Sequence, residues 1–298
     1  MYSHLMKSNP FEVCDRGSKP LLLDGAMGSY LQQKGLLTDD VLWTTNINHN
    51  NPDLILKTHL EYIVAGADII TTNTFRTNPA SLLKAGMTSA SDYIKEAVDL
   101  AKQTRIGNKV LIAGSNPPAE DCYQSTRTID YNELEMNHKK HIDLLIDNSV
   151  DFVLNETQSH FDELQIICDH CDRNNIPYVV SLYILDTLKI LSGESLINIL
   201  SFLKDHNVTA ISLNCISPNL FLNIVGSIQL PERWGYYLNC GSGHPTDKII
   251  TCGIQPDEYL DSVKKSLAYK PVFIGSCCGS SPAHTKKIRE FLDGQIYS

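Results

Sequence analysis

The feature that most constrains the fold is an alternation of short apolar runs with longer amphipathic ones, repeated eight times between Leu21 and Leu292 without a break. Short apolar runs bounded by Gly, Pro, Asn or Asp read as buried strands, and apolar residues recurring at i, i+3 and i+4 read as helices. The strand-like runs are Leu21–Gly28, Asp68–Phe75, Lys109–Ser115, Phe152–Thr157, Tyr178–Leu182, Ala210–Cys215, Gly235–Asn239 and the run from Pro271 to Ile274. Helical spacing follows each of them, over Pro52–Ala65, about Ser91–Arg105, Asn132–Asp147, Phe161–Asn174, Leu196–His206, Leu220–Ile228, Pro256–Ala268 and Pro282–Leu292. Strands separated by helices imply a parallel sheet. Eight such units in 298 residues predict an α/β fold, a single (β/α)8 barrel of the TIM type, which typically needs roughly 250 residues. An open doubly wound dinucleotide-binding sheet fits less well, because Asp24-Gly25-Ala26-Met27-Gly28 after the first strand lacks the Gly-rich fingerprint of that fold. One barrel domain is expected over residues 20–298, preceded by an irregular lead-in over residues 1–19.

Composition narrows the function classes. The net charge of −9 argues against a nucleic-acid surface and leaves no polybasic patch for a membrane. No run is long and apolar enough to span a bilayer, and Met1–Pro20 has no signal-peptide core. Nine cysteines, an odd number without a regular framework, fit a reducing cytoplasmic compartment, where thiols serve as ligands or core residues more often than as disulfides.

Two of those cysteines stand together at the end of the eighth strand, in Phe273-Ile274-Gly275-Ser276-Cys277-Cys278-Gly279-Ser280. Adjacent side chains on a regular strand point to opposite faces, so both sulfurs reach one point only if the backbone leaves strand geometry, which Gly275 and Gly279 allow. The sixth strand ends the same way, in Asn214-Cys215 before Pro218. Cys215, Cys277 and Cys278 then make a three-sulfur set suited to zinc, with one coordination position open as in catalytic rather than structural sites. A vicinal disulfide or separate buried thiols are the alternatives, since the paired CxxC spacing of strong zinc motifs is absent. In such barrels active sites lie where the strands end. Asp24, Thr72, Asn73, Glu156, Asn214 and the three cysteines all stand at those ends.

These segments together resemble the homocysteine S-methyltransferase family, over almost the whole chain from residue 23 to the C-terminal helix. The resemblance rests on Asp24-Gly25, Gly66-Ala67-Asp68, Glu156-Thr157, Asn214-Cys215 and Gly275-Ser276-Cys277-Cys278-Gly279, in that order. It implies a distorted (β/α)8 barrel that holds zinc through three cysteines and methylates homocysteine to methionine. By position, Cys215, Cys277 and Cys278 are the implied ligands. Asp24 and Glu156 stand where the family recognises the amino-acid end of homocysteine, with Gly25, Thr72, Asn73 and Asn214 as further expected substrate contacts. The chain departs from the family pattern at Ser276, at Asn155, after the third strand in Gly114-Ser115-Asn116-Pro117-Pro118, and after the seventh in Tyr237-Leu238-Asn239-Cys240-Gly241.

Because the sequence ends soon after the eighth unit, the expected methyl donor is a small diffusing onium compound, S-methylmethionine first and S-adenosylmethionine second. The altered mouth loops keep betaine open. A non-catalytic zinc- and amino-acid-binding barrel is the alternative from another class. Other candidate ligands are set aside. Cys168 and Cys171 sit mid-helix and read as structural thiols. His138 and His141 flank Lys139-Lys140 and read as a solvated face. Cys240 reads as a thiol of the pocket wall.

Overall fold

The computed structural model describes residues 9–12, 19–243 and 247–294. The strands are β1 (Leu21–Leu22), β2 (Ile69–Thr71), β3 (Leu111–Asn116), β4 (Phe152–Gln158), β5 (Tyr178–Leu182), β6 (Ala210–Asn214), β7 (Trp234–Leu238) and β8 (Phe273–Ser276). The helices are α1 (Met27–Gln33), α2 (Ile47–Asn50), α3 (Pro52–Val64), α4 (Pro79–Lys84), α5 (Ala90–Gln103), α6 (Tyr131–Asp147), α7 (Phe161–Asn174), α8 (Leu196–Leu203), α9 (Pro218–Ser227), α10 (Pro256–Ser266) and α11 (Pro282–Gly294). All strand pairs are parallel, in the order β1-β8-β7-β6-β5-β4-β3-β2. One further parallel bridge, Leu23 opposite Ile69, joins β1 to β2 and closes the ring. The chain is therefore the expected (β/α)8 barrel. Among the described residues no helix is long and apolar enough to cross a membrane.

Strand side chains alternate between two environments. Leu22, Ile70, Ile112, Val153, Val180, Leu213, Tyr236 and Ile274 face outward into the layer beneath the helices. Leu23, Ile69, Ala113, Leu154, Val179, Tyr237 and Phe273 form the core within the ring. Phe11, from the otherwise largely undescribed lead-in, stacks on Phe273 at 5.3 Å and meets Phe152 edge-on at 5.7 Å. Those two rings open β8 and β4, so Phe11 plugs the end of the barrel opposite the strand C-termini. The rest of the expected lead-in, residues 1–8 and 13–18, lies outside the described residues.

Gly235 makes this core possible. A Cβ there would lie 2.4 Å from the Phe273 ring, which Phe11 holds in place. Gly235→Ala is expected to destabilise the protein by about 1–3 kcal/mol through overpacking. The measurement is the urea midpoint, and an unchanged value means the Phe273 ring moves freely.

Three expectations change. The first apolar run was expected as a strand to Gly28, but only Leu21–Leu22 pairs as a strand, and the chain enters α1 at Met27. There Gly28 passes beneath the Trp43 ring, which would lie 2.4 Å from any Cβ. The eighth strand was expected to break at both Gly275 and Gly279. Only Gly279 takes a positive φ, +81°, whereas Gly275 stays within β8, where its missing side chain leaves room for Leu23. His138 and His141, expected on a solvated face, are fully buried. His141 Nδ1 meets Asn116 Oδ1 at 2.8 Å and its Nε2 meets Thr77 Oγ1 at 2.9 Å, and His138 Nε2 lies 3.3 Å from Glu163. Polar residues occupy the core-facing stripe of α6 because they find polar partners there. Helical spacing could not show that. Cys168 and Cys171 are buried core thiols of α7, as expected.

Candidate active site

A cavity of about 860 Å³ opens where the strands end. Its wall includes Asp24 and Gly25 after β1, Thr72 and Asn73 after β2, Ser115 of β3, Glu156 of β4, Tyr237 of β7, and Cys215, Cys277 and Cys278. Of the expected ligands and substrate contacts only Asn214 is outside this wall, and so is Cys240, which was expected to be part of it.

The three sulfurs meet through two backbone reversals. At the end of β6, Cys215 adopts φ 53°, the left-handed region that is costly for any side-chain-bearing residue. After β8, the Ser280 N–H donates to the Cys277 carbonyl at 3.1 Å, closing a tight turn around Cys278-Gly279. The turn is pinned by Gly279 N–H donating to Ser29 Oγ at 2.9 Å and by Cys240 N–H donating to the Cys278 carbonyl at 2.8 Å. As a result the three Sγ atoms lie within 4.8 Å of one another. Cys215 and Cys277 are joined as a disulfide, and Cys278 Sγ lies 3.7 Å from Cys215 Sγ. Reduction of that bond frees two thiols beside the Cys278 thiol, so that three sulfurs surround one point, a soft donor set that fits a thiophilic metal ion with room for another ligand. Disulfide and three-sulfur coordination exclude each other, because the same two sulfurs serve both. Burial pushes the Cys278 thiol up to about 11, and the Glu156 charge adds to this. That thiol needs a nearby cation to persist as thiolate.

The acid pair shares the same cavity. Asp24 is 3% exposed. Its carboxylate accepts from Thr71 N–H at 2.8 Å and Thr71 Oγ1 at 2.9 Å. Burial nevertheless lifts it to about 8, with the Glu156 charge contributing. Burial also lifts Glu156 to about 7, against the easing effect of the Ser115 and Tyr237 hydroxyls nearby. Among the described residues neither hydroxyl reaches hydrogen-bond geometry with a protein group, and the same holds for Ser276 Oγ. Three buried hydroxyls without partners, all in the cavity wall, are what a site for a polar ligand presents before the ligand arrives. Two carboxylates held near each other with raised affinity for protons await a positive group.

The remaining expected contacts work differently. The Asn73 amide donates to Asn48 Oδ1 at 2.9 Å and to the Thr44 carbonyl at 3.1 Å, and accepts from Thr44 Oγ1 at 2.9 Å. It ties β2 to the loop that carries Trp43. Thr72 Oγ1 contacts Thr74 Oγ1 at 2.8 Å and accepts from Ser115 N–H at 3.1 Å. Asn214 is fully buried in the wall between strands. Its amide donates to Thr157 Oγ1 at 2.8 Å, while Oδ1 accepts from Thr157 N–H at 3.0 Å and Ser181 Oγ at 2.8 Å. Thr157, at φ 56°, is the strained residue directly after Glu156, so Asn214 holds the backbone that aims Glu156. Cys240 lies behind the wall, fully buried, with its thiol toward the Leu238 carbonyl at 3.7 Å.

Sequence reasoning did not single out Trp43, Phe75, Arg76, Cys122 or Tyr123 in the wall. Trp43 and Phe75 meet edge to face at 6.0 Å. Trp43 has φ 51°, unusual for a bulky residue. Aromatic residues in loops after strand ends were the available signal.

A family model described as homocysteine S-methyltransferase matches residues 21–292. Among curated relatives, homocysteine S-methyltransferase 2 of Zea mays is 25% identical, over 94% of this chain and 91% of its own. Betaine-homocysteine S-methyltransferase of Drosophila melanogaster is 27% identical, over 93% and 96%. Among solved structures, the homocysteine methyltransferase MmuM of Escherichia coli shares the fold in two forms. Its metallated form aligns with a TM-score of 0.79 at 24% identity, over 95% of this chain and 99% of that one. Its oxidized form aligns at 0.81 and 23%, over 95% and 100%.

Proposed function

The chain belongs to the homocysteine S-methyltransferase family, and from that premise we propose that it is a zinc-dependent enzyme that takes its methyl group from a small sulfonium. Transfer of a methyl group to homocysteine is the activity of this family. The observation that carries the finer reading is the meeting of three cysteine sulfurs with a buried acid pair in one cavity. Cys215, Cys277 and Cys278, once reduced, hold the ion. When bound, zinc supplies a Lewis acid that keeps the substrate sulfur as thiolate near neutral pH, which a free thiol does poorly.

The chain's own residues do the rest. Asp24 and Glu156 take the substrate ammonium, and the Ser115, Tyr237 and Ser276 hydroxyls are placed to complete its polar contacts. That grip fixes the direction in which homocysteine extends its sulfur toward the cysteines. The thiol proton goes to solvent. The donor's S–CH3 bond breaks as the new S–CH3 bond forms on homocysteine, and the departing electron pair stays on the donor sulfur. The donor leaves as a neutral thioether, so no acid is required to expel it. A cytoplasmic location fits a site that works only with reduced thiols, and residues 20–298 are the unit we assign to the activity.

S-methylmethionine is the favoured donor and S-adenosylmethionine the second. The test supplies homocysteine and each donor singly, at equal concentration, to reduced, zinc-loaded protein and measures methionine. Formation from S-methylmethionine above the others is expected. Formation from betaine alone, or only with an added methylated corrinoid protein, overturns the sulfonium assignment.

A further inference from the structure

Among the described residues the cavity wall contains two basic ones, Arg76 and Lys248. Lys248 is neutralised by Asp40 at 2.9 Å. Arg76 has no ion pair among the described residues. Its one hydrogen bond to the protein there runs from Nη1 to the Glu120 carbonyl at 3.2 Å. A guanidinium carries five N–H donors in a planar fork suited to a carboxylate, so most of its donor capacity remains available in a ligand cavity. Its position is fixed by the Glu120 contact and by packing on Phe75, whose ring centre is 5.4 Å from the guanidinium carbon. Phe75 in turn meets Trp43. Arg76 and the buried Cys122 line the same cavity as the sulfur cluster, with Arg76 in the loop between β2 and β3.

Charge is therefore arranged in opposite senses within the cavity. Near β1 and β4 stand the carboxylates of Asp24 and Glu156, suited to an ammonium. After β2 stands a guanidinium with no ion pair among the described residues, suited to an anion. A cation without an anionic group gains nothing from Arg76 and is repelled by it. A zwitterion gains if its carboxylate meets Arg76 while its onium centre faces the sulfurs.

Resting on the methyl-transfer reading above, we propose that Arg76 is the specificity-determining residue that binds the carboxylate of the methyl donor, so that the donor class is an onium carboxylate. The proposal gives this group to the donor and leaves homocysteine to Asp24 and Glu156, so homocysteine binding should not depend on Arg76.

The test is calorimetric titration of reduced, zinc-loaded wild type and Arg76→Gln with S-methylmethionine, betaine, the methyl ester of S-methylmethionine, and trimethylsulfonium, which has no carboxylate. Loss of one charge-assisted contact is expected to weaken binding of the tighter carboxylate donor roughly 10- to 100-fold in Arg76→Gln. The wild type binds the ester about as weakly as the variant binds the acid. Trimethylsulfonium binds the Arg76→Gln protein no more weakly than the wild type, and Arg76→Lys recovers part of the loss. Equal binding of the carboxylate donors to wild type and Arg76→Gln overturns the assignment. So does a loss that extends to trimethylsulfonium or to homocysteine, which marks a structural role, and so does a wild type that binds neither carboxylate donor. Methionine formation measured in parallel separates the two readings. Turnover that is indifferent to Arg76 removes this assignment alone. Arg76-dependent binding without turnover from any donor removes the donor reading and leaves the anchor.

Discussion

Cys277→Ala is expected to lose its metal and its methyltransferase activity together, the activity by roughly 10³-fold or more, because on the proposed reading the bound ion is what holds the homocysteine sulfur as thiolate. Cys215→Ala and Cys278→Ala should behave alike, since the three sulfurs surround one point. The fold survives, because the barrel core lies in separate layers of apolar side chains. Cys252→Ala, which removes a thiol outside the cavity wall, keeps metal and activity and serves as the control. The measurements are metal content by elemental analysis, methionine formation, and far-UV circular dichroism. Full activity in a metal-free Cys277→Ala protein refutes the zinc reading.

Glu156→Gln is expected to raise the KM for homocysteine roughly 10- to 100-fold, the cost of a charge-assisted contact to the substrate ammonium. It should retain its metal, because Glu156 is not among the clustered ligands. The variant should also be more stable than the wild type at alkaline pH. The folded-state values of Asp24 and Glu156 are raised by burial to about 8 and about 7. A carboxyl raised in the folded state contributes stability that is fully present below its unfolded value and lost as pH climbs through the folded one. The ligand-free wild type should therefore lose stability between about pH 4 and pH 8, by an amount on the order of a few kcal/mol. Glu156→Gln should flatten that slope. Homocysteine affinity should move the other way, rising over pH 6–8 as the pair ionises, until the substrate ammonium itself deprotonates. Urea midpoints at pH 5 and pH 8, with and without homocysteine, test both signs. A variant with wild-type KM and an unchanged pH slope shows that Glu156 neither binds the ammonium nor is buried at a cost. Asp24→Asn is the less clean companion, because an amide there disturbs the two Thr71 hydrogen bonds as well.

Two kinds of information built this protein. Strand–helix alternation is a local property of the chain, written as period 2 or 3.6 in the apolar pattern, so the eight units and their parallel closure were legible from Leu21 to Leu292. So was the placing of Asp24, Glu156, Cys215, Cys277 and Cys278 at strand ends. Only the tertiary structure decided how those ends meet. Whether the three sulfurs share a point depends on the left-handed backbone at Cys215 and the turn at Gly279, conformations held by contacts from other units, such as Cys215 N–H to the Tyr237 carbonyl and Gly279 N–H to Ser29, the latter 250 residues apart. The burial of His138 and His141 depends on Thr77, Asn116 and Glu163 arriving from other units. Asn214 and Cys240 stand at strand ends as the three clustered cysteines do, yet one holds Thr157 and the other lies behind the wall. Position along a strand is local, but which side of a closed ring a side chain meets, and which neighbour takes its hydrogen bond, are set by residues far away in sequence. For the same reason Arg76 comes to face an acid-lined cavity, with no ion pair among the described residues, only when the barrel closes.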